Sequence, residues 1–159
     1  MFMKKEVNMA QQSLKDLASH LEQAPLLAPQ VSERGVDWHI EHSLKAAIAM
    51  LQAIVNSDPA QFKPKFSPSK SLILATGKIP RGKAKSPKMI NNQEAIDLSQ
   101  LPSLLEKSQA LLQLVQKQAE KAYFAHPLFG HLKRNQGIKF VAIHTNHHLK
   151  IIRDIVAAQ

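Results

Sequence analysis

The feature that most constrains the fold is a helical spacing of apolar residues, which recurs in four segments of the chain. The segments run from about 5 to 23, from 35–37 to about 56, from about 101 to 123 and from about 135 to 156. Apolar side chains three and four residues apart are typical of a helix with one buried side. No segment of useful length alternates apolar and polar residues as a strand does. The sequence therefore predicts an all-α protein with four main helices packed as a bundle.

A long basic crossover separates the second and third predicted helices, over about 59–98. Between Lys63 and Lys88 it carries eight lysines and arginines, no acidic residue, four prolines and two glycines. Proline and glycine interrupt regular structure, so we expect an irregular insertion with one short apolar helix around residues 72–74. The chain has 159 residues, of which 44% are apolar. That length suits one domain, and we expect a single bundle domain over 1–159.

The composition also excludes several classes of site. The chain has no cysteine, so any metal must be held by nitrogen and oxygen ligands. No stretch approaches the apolar length of a membrane helix, and the first residues lack the apolar segment of a signal peptide. We therefore expect a cytoplasmic protein without a membrane partner.

His144 and His148 are the strongest candidates for a functional site. They stand one helical turn apart, and on a helical wheel both point towards the apolar side of the last predicted helix. An unpaired polar group in a core costs about 1–3 kcal/mol, and H-x-x-x-H places two ring nitrogens within reach of one cation. The pair predicts a metal site. The alternative is that each ring bonds a core carbonyl or a water molecule.

A metal site needs further ligands, and His42 is the best candidate for the third. It lies on a side of the second helix that also carries Ala46, Ala49 and Ala53, where small side chains would let the last helix approach. His39, one turn earlier, is predicted as a fourth ligand, as a group that supports the ligands, or as a polar residue near the helix start. Three nitrogen ligands would leave positions open for water or substrate.

Two further histidines are weaker candidates. His147 falls at the edge of the apolar side of the last helix, where it would border the pocket. His126 is predicted to lie in a loop, His126-Pro127-Leu128-Phe129-Gly130, with a role at the mouth of the site or none. In that loop, Leu128 and Phe129 are expected to pin the chain onto the bundle.

Three stretches carry a family resemblance: Trp38-His39-Ile40-Glu41-His42-Ser43-Leu44, the loop from His126 to Gly130, and His144-Thr145-Asn146-His147-His148-Leu149. Together they resemble the DinB-like superfamily, in particular a branch of bacterial proteins of unassigned function, over nearly the whole chain. The resemblance implies a four-helix bundle with a long crossover. It also implies a three-histidine site for zinc, nickel or a similar divalent metal, with ligands that match His42, His144 and His148.

The same resemblance implies an activity. Characterised relatives include metal-dependent thiol transferases that use a low-molecular-weight thiol, and a thiol-dependent isomerase. In such enzymes the metal would lower the pKa of the thiol and hold its sulfur as a nucleophilic thiolate. The superfamily commonly has a tryptophan two turns before the histidine of the second helix. Here Arg34 stands at that position, and Trp38, one turn before His42, is the candidate pocket residue.

Three functions follow as hypotheses. The first is a metal-dependent enzyme of the thiol-transferase or hydrolase kind that acts on a small anionic substrate. The second is an anion or nucleic-acid binding module that uses Lys78, Arg81 and Lys83, although Ala84 replaces the Ser or Thr of a Walker A loop and few aromatic residues are present for base stacking. The third is a scaffold that binds metal without turnover. We also expect that two copies can pair through exposed helix faces as a homodimer.

Overall fold

The computed structural model describes residues 2–82 and 96–159, with the side chains of residues 2 and 3 left out, and this part of the chain is mostly helical. Its elements in chain order are α1 (Phe2–Ala18), α2 (Val36–Asn56), α3 (Pro68–Thr76), α4 (Leu101–Gln116), β1 (Tyr123–His126), β2 (Gly130–Lys133) and α5 (Arg134–Ala157). Single turns of 3₁₀-helix cover Leu21–Gln23, Pro59–Gln61 and Leu98–Gln100. All four long helices lie where the apolar spacing predicts a helix.

The core lies between the four long helices. α1 packs against α5 and α4, while α2 packs against both α4 and α5. α2 buries residues on two sides, with Ile40, Leu44 and Leu51 on one and His42 and Ala46 on the other. A helix buried on two sides lies centrally among its neighbours. The position of α2 therefore brings the histidines near its start against α5.

The close approach of α2 and α5 is made by a glycine rather than by the predicted alanines. Ala49 and Ala53 are exposed, so the small-residue side of α2 faces a neighbour only near His42 and Ala46. Farther along, a Cβ added at Gly137 of α5 would stand 2.6 Å from Cδ1 of Ile54. The missing side chain lets Ile54 fill that space, because a larger residue would clash with it.

The prediction of a third helix continuing to residue 123 without any strand is wrong. α4 ends at Gln116, and β1 and β2 form an antiparallel hairpin in which Phe124 faces Leu132. Both of these side chains are buried in the core. Gly130, with φ of 69°, turns the chain in a left-handed conformation that favours glycine. Core contacts made by the hairpin outweigh the helical preference of residues 117–122, and four-residue strands are too short to show alternation in the sequence.

Three smaller predictions have mixed outcomes. The first helix ends at Ala18 instead of residue 23. Phe129 is buried as expected, whereas Leu128 is 67% exposed because it lies in the turn between β1 and β2. The short apolar helix expected around residues 72–74 is confirmed as α3, which lies in the crossover and contacts α5.

The tail of the basic crossover is only partly described. Lys83, Lys85 and Lys88 fall between the two described ranges, so the anion-binding role predicted for Lys83 lies outside the described residues. Within those ranges, no helix is long and apolar enough to cross a membrane.

Candidate metal centre

The structure brings His42, His144 and His148 together between α2 and α5. One ring nitrogen from each of them lies within 4.8 Å of the other two. The ring centroid of His148 is 4.7 Å from that of His42 and 4.7 Å from that of His144, while His42 and His144 are 5.3 Å apart. This is the only group of three potential ligands that the described part of the chain assembles in this way. The residues nominated from the sequence therefore form one cluster that could hold a metal ion.

Burial keeps the α5 histidines of the cluster neutral. Loss of solvent lowers the pKa of His144 to about 3, and the neighbouring His42 lowers it further in the same direction. Burial likewise holds the pKa of His148 well below its ordinary value, with His144 and His42 adding to the effect. Only a neutral imidazole offers a lone pair to a metal, so both rings are in the binding form at neutral pH.

One ring nitrogen of the cluster has no hydrogen-bond partner. Nδ1 of His144 is enclosed and, among the described residues, unpaired. An unsatisfied buried nitrogen costs about 1–3 kcal/mol, and a cation bound at this atom would remove that cost. Three imidazoles are also a donor set that suits zinc and nickel. The residues present therefore fit a divalent transition metal.

His39 stands behind His148 instead of joining the cluster. Its Nδ1 lies 2.9 Å from Nδ1 of His148, and its Nε2 lies 3.0 Å from Oγ of Ser32. The backbone N–H of Arg34 also donates to this Oγ, over 3.1 Å. Because Nδ1 of His148 is engaged with His39, Nε2 is the atom that His148 has left for a metal. His39 therefore lies where it could support His148, and its role as a supporting group stays a prediction.

Metal binding would fix the direction of these hydrogen bonds. With Nε2 of His148 as a ligand, the hydrogen of that ring would sit on Nδ1, where it would be donated to His39. His39 would then carry its own hydrogen on Nε2 and donate it to Ser32. The pKa of His39 is lowered to about 3, first by burial and then by the neighbouring His42, so His39 is neutral and able to accept. The three residues form a relay that ends on a serine in the loop before α2.

Trp38 forms one wall of the cluster. Its ring stacks on His42 with centroids 4.6 Å apart and planes within 9°, and it meets His148 at 6.1 Å. Arg34 lies on the ring of Trp38 with Cζ 5.6 Å from the centroid, which is a cation–π contact. Large flat side chains of this kind fix the orientation of a neighbouring imidazole by packing.

The end of the basic crossover lies beside the cluster. His147, outside the cluster and partly buried, lies against the backbone of Ile79. Its pKa is lowered, mainly by burial and then by the charge of Arg81. Arg81 also lowers the pKa of His39, and its guanidinium pairs with Asp154 of α5 at 2.7 Å. Of the other predicted anion-binding residues, Lys78 is exposed and Lys83 lies outside the described residues.

His126 braces the hairpin near the site. Its Nδ1 accepts hydrogen bonds from the backbone N–H groups of Leu128 and Phe129, and its ring stacks on Phe129 at 4.1 Å. Its edge meets Phe140, which in turn lies 6.3 Å from His144. Burial lowers the pKa of His126 to about 4. The ring therefore joins the turn to Phe140 beside the histidine cluster, and its predicted role at the mouth of the site stays untested.

Sequence reasoning missed two contributors, Ser32 and Ile79. Both lie in irregular segments, where Ser32 contacts His39 through its hydroxyl and the backbone of Ile79 lies beside His147. Neither position has a periodicity or motif that could have identified it. Comparison of the chain with protein-family models, with curated proteins and with solved structures found no match.

Proposed function

We propose that this chain is a DinB-like four-helix-bundle protein that binds a divalent metal, zinc or nickel, through His42, His144 and His148. The observation that carries the proposal is the cluster itself, three ring nitrogens within 4.8 Å of one another. Two further facts support it: the histidines of α5 are held neutral, and Nδ1 of His144 lacks a partner. The mutual packing of α1, α2, α4 and α5 agrees with the bundle that the resemblance implies.

We further propose a metal-dependent reaction of the thiol-transferase or hydrolase kind. A bound metal would supply Lewis acidity and lower the pKa of a thiol or water molecule held at the open positions. His39 and Ser32 orient His148, and Trp38 fixes the ring of His42. The low-molecular-weight thiol is suggested by the resemblance, and it fits a chain that has no cysteine of its own.

A small anionic substrate is the class that the surroundings favour. Arg81 is close enough for its charge to act on both His39 and His147, and the backbone of Ile79 lies beside His147. A guanidinium next to a metal centre attracts carboxylate or phosphate groups. Its partner Asp154 is half exposed, and exposed ion pairs contribute at most about 1 kcal/mol, so a substrate anion can compete for Arg81.

Metal analysis of the full chain, purified without chelators, tests the metal site. We expect close to one equivalent of zinc or nickel per chain, and loss of that metal in His144→Ala. His20→Ala is the matched control, because His20 bonds Gln23 beside α1 and takes no part in the cluster. Absence of stoichiometric metal from the wild type, or unchanged metal in His144→Ala, contradicts the proposal.

Cobalt substitution separates an enzyme of the thiol kind from a scaffold that only holds metal. Cobalt(II) bound at the histidines is expected to develop a sulfur-to-metal charge-transfer band when glutathione is added. A hydrolase would leave that spectrum unchanged but hydrolyse an activated ester in a metal-dependent way. A protein that binds cobalt and gives neither response is a metal-binding scaffold, which refutes the catalytic part of the proposal alone.

A further inference from the structure

A cavity of about 250 Å³ lies between the start of the basic crossover and the hairpin. It shares no residue with the metal cluster. Its polar lining consists of Lys65, Lys70, His131, Lys133 and Gln136, and Phe62 contributes an apolar wall. We call it the lysine cleft.

The lysine cleft holds positive charge without a matching acid among its lining residues. Lys65 and Lys70 come from the crossover, and Lys133 comes from the end of β2. Lys133 pairs with Glu120, but both of these side chains are more than a third exposed and such pairs are weak. Lys65 is held against the hairpin, where its Cβ and Cδ would stand 3.1 Å from a Cβ on Gly130.

Lys70 is the least expected of these residues, because it is only 9% exposed. Its ammonium has three N–H donors, and the carbonyl of Lys65, at 2.6 Å, is the one acceptor that it has within the described ranges. Taking a lysine cation out of water costs several kcal/mol unless a counter-charge or further acceptors are supplied. Two donors of Lys70 are left for a ligand.

The neutral residues of the cleft also present donors. Nδ1 of His131 accepts the backbone N–H of Lys63 over 3.0 Å, so a neutral His131 carries its hydrogen on Nε2. Stacking on Tyr123, with centroids 4.0 Å apart, fixes the plane of this ring. Oε1 of Gln136 accepts the backbone N–H of Lys133 over 3.3 Å, which leaves its amide NH₂ free to donate.

We propose that the lysine cleft binds the phosphate-type oxyanion of a small molecule. Every polar lining side chain offers a hydrogen-bond donor, and three of them carry a positive charge. An oxyanion supplies the acceptors that Lys70 lacks, and charged hydrogen bonds are about twice as strong as neutral ones. The cavity is small and has one aromatic wall, Phe62, so it suits a compact ligand better than a nucleic-acid strand, which needs a row of stacking surfaces.

Titration of inorganic phosphate into the full chain, followed by ¹H–¹⁵N NMR, tests the proposal. We expect saturable shifts centred on Lys70, His131 and Gln136. Lys70→Gln should weaken phosphate binding by about tenfold or more, as expected for loss of a charged hydrogen bond. Lys78→Gln is the matched control, because Lys78 is an exposed lysine of the same crossover outside the cleft. It should change the affinity less than about twofold, a shift too small for a lost charged hydrogen bond.

Further variants keep the result decisive. If Lys70→Gln does not fold, Lys133→Gln and the conservative Lys70→Arg replace it, with weakening expected in the first and near-normal binding in the second. The absence of saturable shifts, or an equal loss in Lys78→Gln, overturns the proposal. A second outcome also overturns the proposal: a single-stranded oligonucleotide binds more tightly than phosphate, and Lys78→Gln weakens that binding as much as Lys70→Gln does. That result would indicate a diffuse nucleic-acid surface instead.

Discussion

Replacing His39 by alanine is the sharpest perturbation of the metal centre. Nδ1 of His39 lies 2.9 Å from Nδ1 of His148, and in the proposed metal-bound form His39 accepts from His148 and donates to Ser32. His39→Ala removes the acceptor without touching any of the three ligands, so His148 loses the contact that keeps its hydrogen on Nδ1. Loss of such a supporting partner lowers metal affinity about 10–100-fold, which corresponds to about 1.4–2.7 kcal/mol.

Competition for zinc between the protein and a chromophoric chelator measures this affinity. His39→Gln should recover part of the loss, because its amide oxygen can accept from His148. Ser32→Ala should weaken zinc binding less than His39→Ala, since it acts one bond farther from the ligand. Ser43→Ala is the matched control: Ser43 is a buried serine that bonds the backbone carbonyl of His39, not its ring.

A spectroscopic measurement distinguishes orientation of the ring from simple packing. In the wild type, long-range ¹H–¹⁵N NMR should place the hydrogen of His148 on Nδ1, with a scalar coupling across the hydrogen bond to Nδ1 of His39. This measurement uses the zinc-loaded protein, because the direction of the hydrogen bond follows from coordination of the metal by Nε2 of His148. Wild-type zinc affinity in His39→Ala, an equal loss in Ser43→Ala, or a hydrogen on Nε2 of His148 in the zinc form would refute the reasoning.

The remaining predictions concern stability and the packing of Trp38 on His42. Gly137→Ala should lower the free energy of unfolding by about 1–3 kcal/mol in denaturant titrations, because its Cβ would stand 2.6 Å from Ile54; a more stable variant would contradict the close approach of α2 and α5. The metal-free protein should also lose stability in mild acid. His39 and His144 have pKa values lowered to about 3 from 6.5. Between these two pH values the unfolded chain binds more protons than the folded chain, so the free energy of unfolding falls as the pH decreases. From pH 7 to pH 5 the loss is about 2 kcal/mol for each histidine, and a flat unfolding free energy over this range would show that the two rings are not held neutral. Trp38→Ala should weaken zinc binding less than His39→Ala, because it removes packing on His42 but no hydrogen bond; an equal or larger loss in the chelator competition would give the stacking the greater role.

The helices are the part of the fold that local sequence predicts best. The spacing of apolar residues places α2 and α5 within one or two residues of their ends, since a long helix with a buried side repeats its pattern over several turns. α4 shows the limit of this reasoning. Nothing local stops the helix at Gln116, and it ends there because the hairpin after it buries Phe124 and Leu132.

The candidate site likewise has parts that the local sequence predicts and parts that it does not. H-x-x-x-H on one helix and a histidine on a central helix could be read from the chain, because each depends on a helical repeat. Ser32 could not, since it reaches His39 only after the loop before α2 folds back over that helix. The lysine cleft could not be predicted from the basic crossover either, because Lys133 and His131 come from the hairpin, far along the chain from Lys70.

The sequence by itself determined the helical class, the absence of any cysteine chemistry and the three histidines that could hold a metal. Those properties depend on composition and on periodicity within single helices. Only the tertiary structure decided that His39 contacts His148, which backbone segment lies beside His147, and which lysines share a cavity. Each of these depends on side chains distant in sequence that meet only when the core closes, and local patterns carry no record of such contacts.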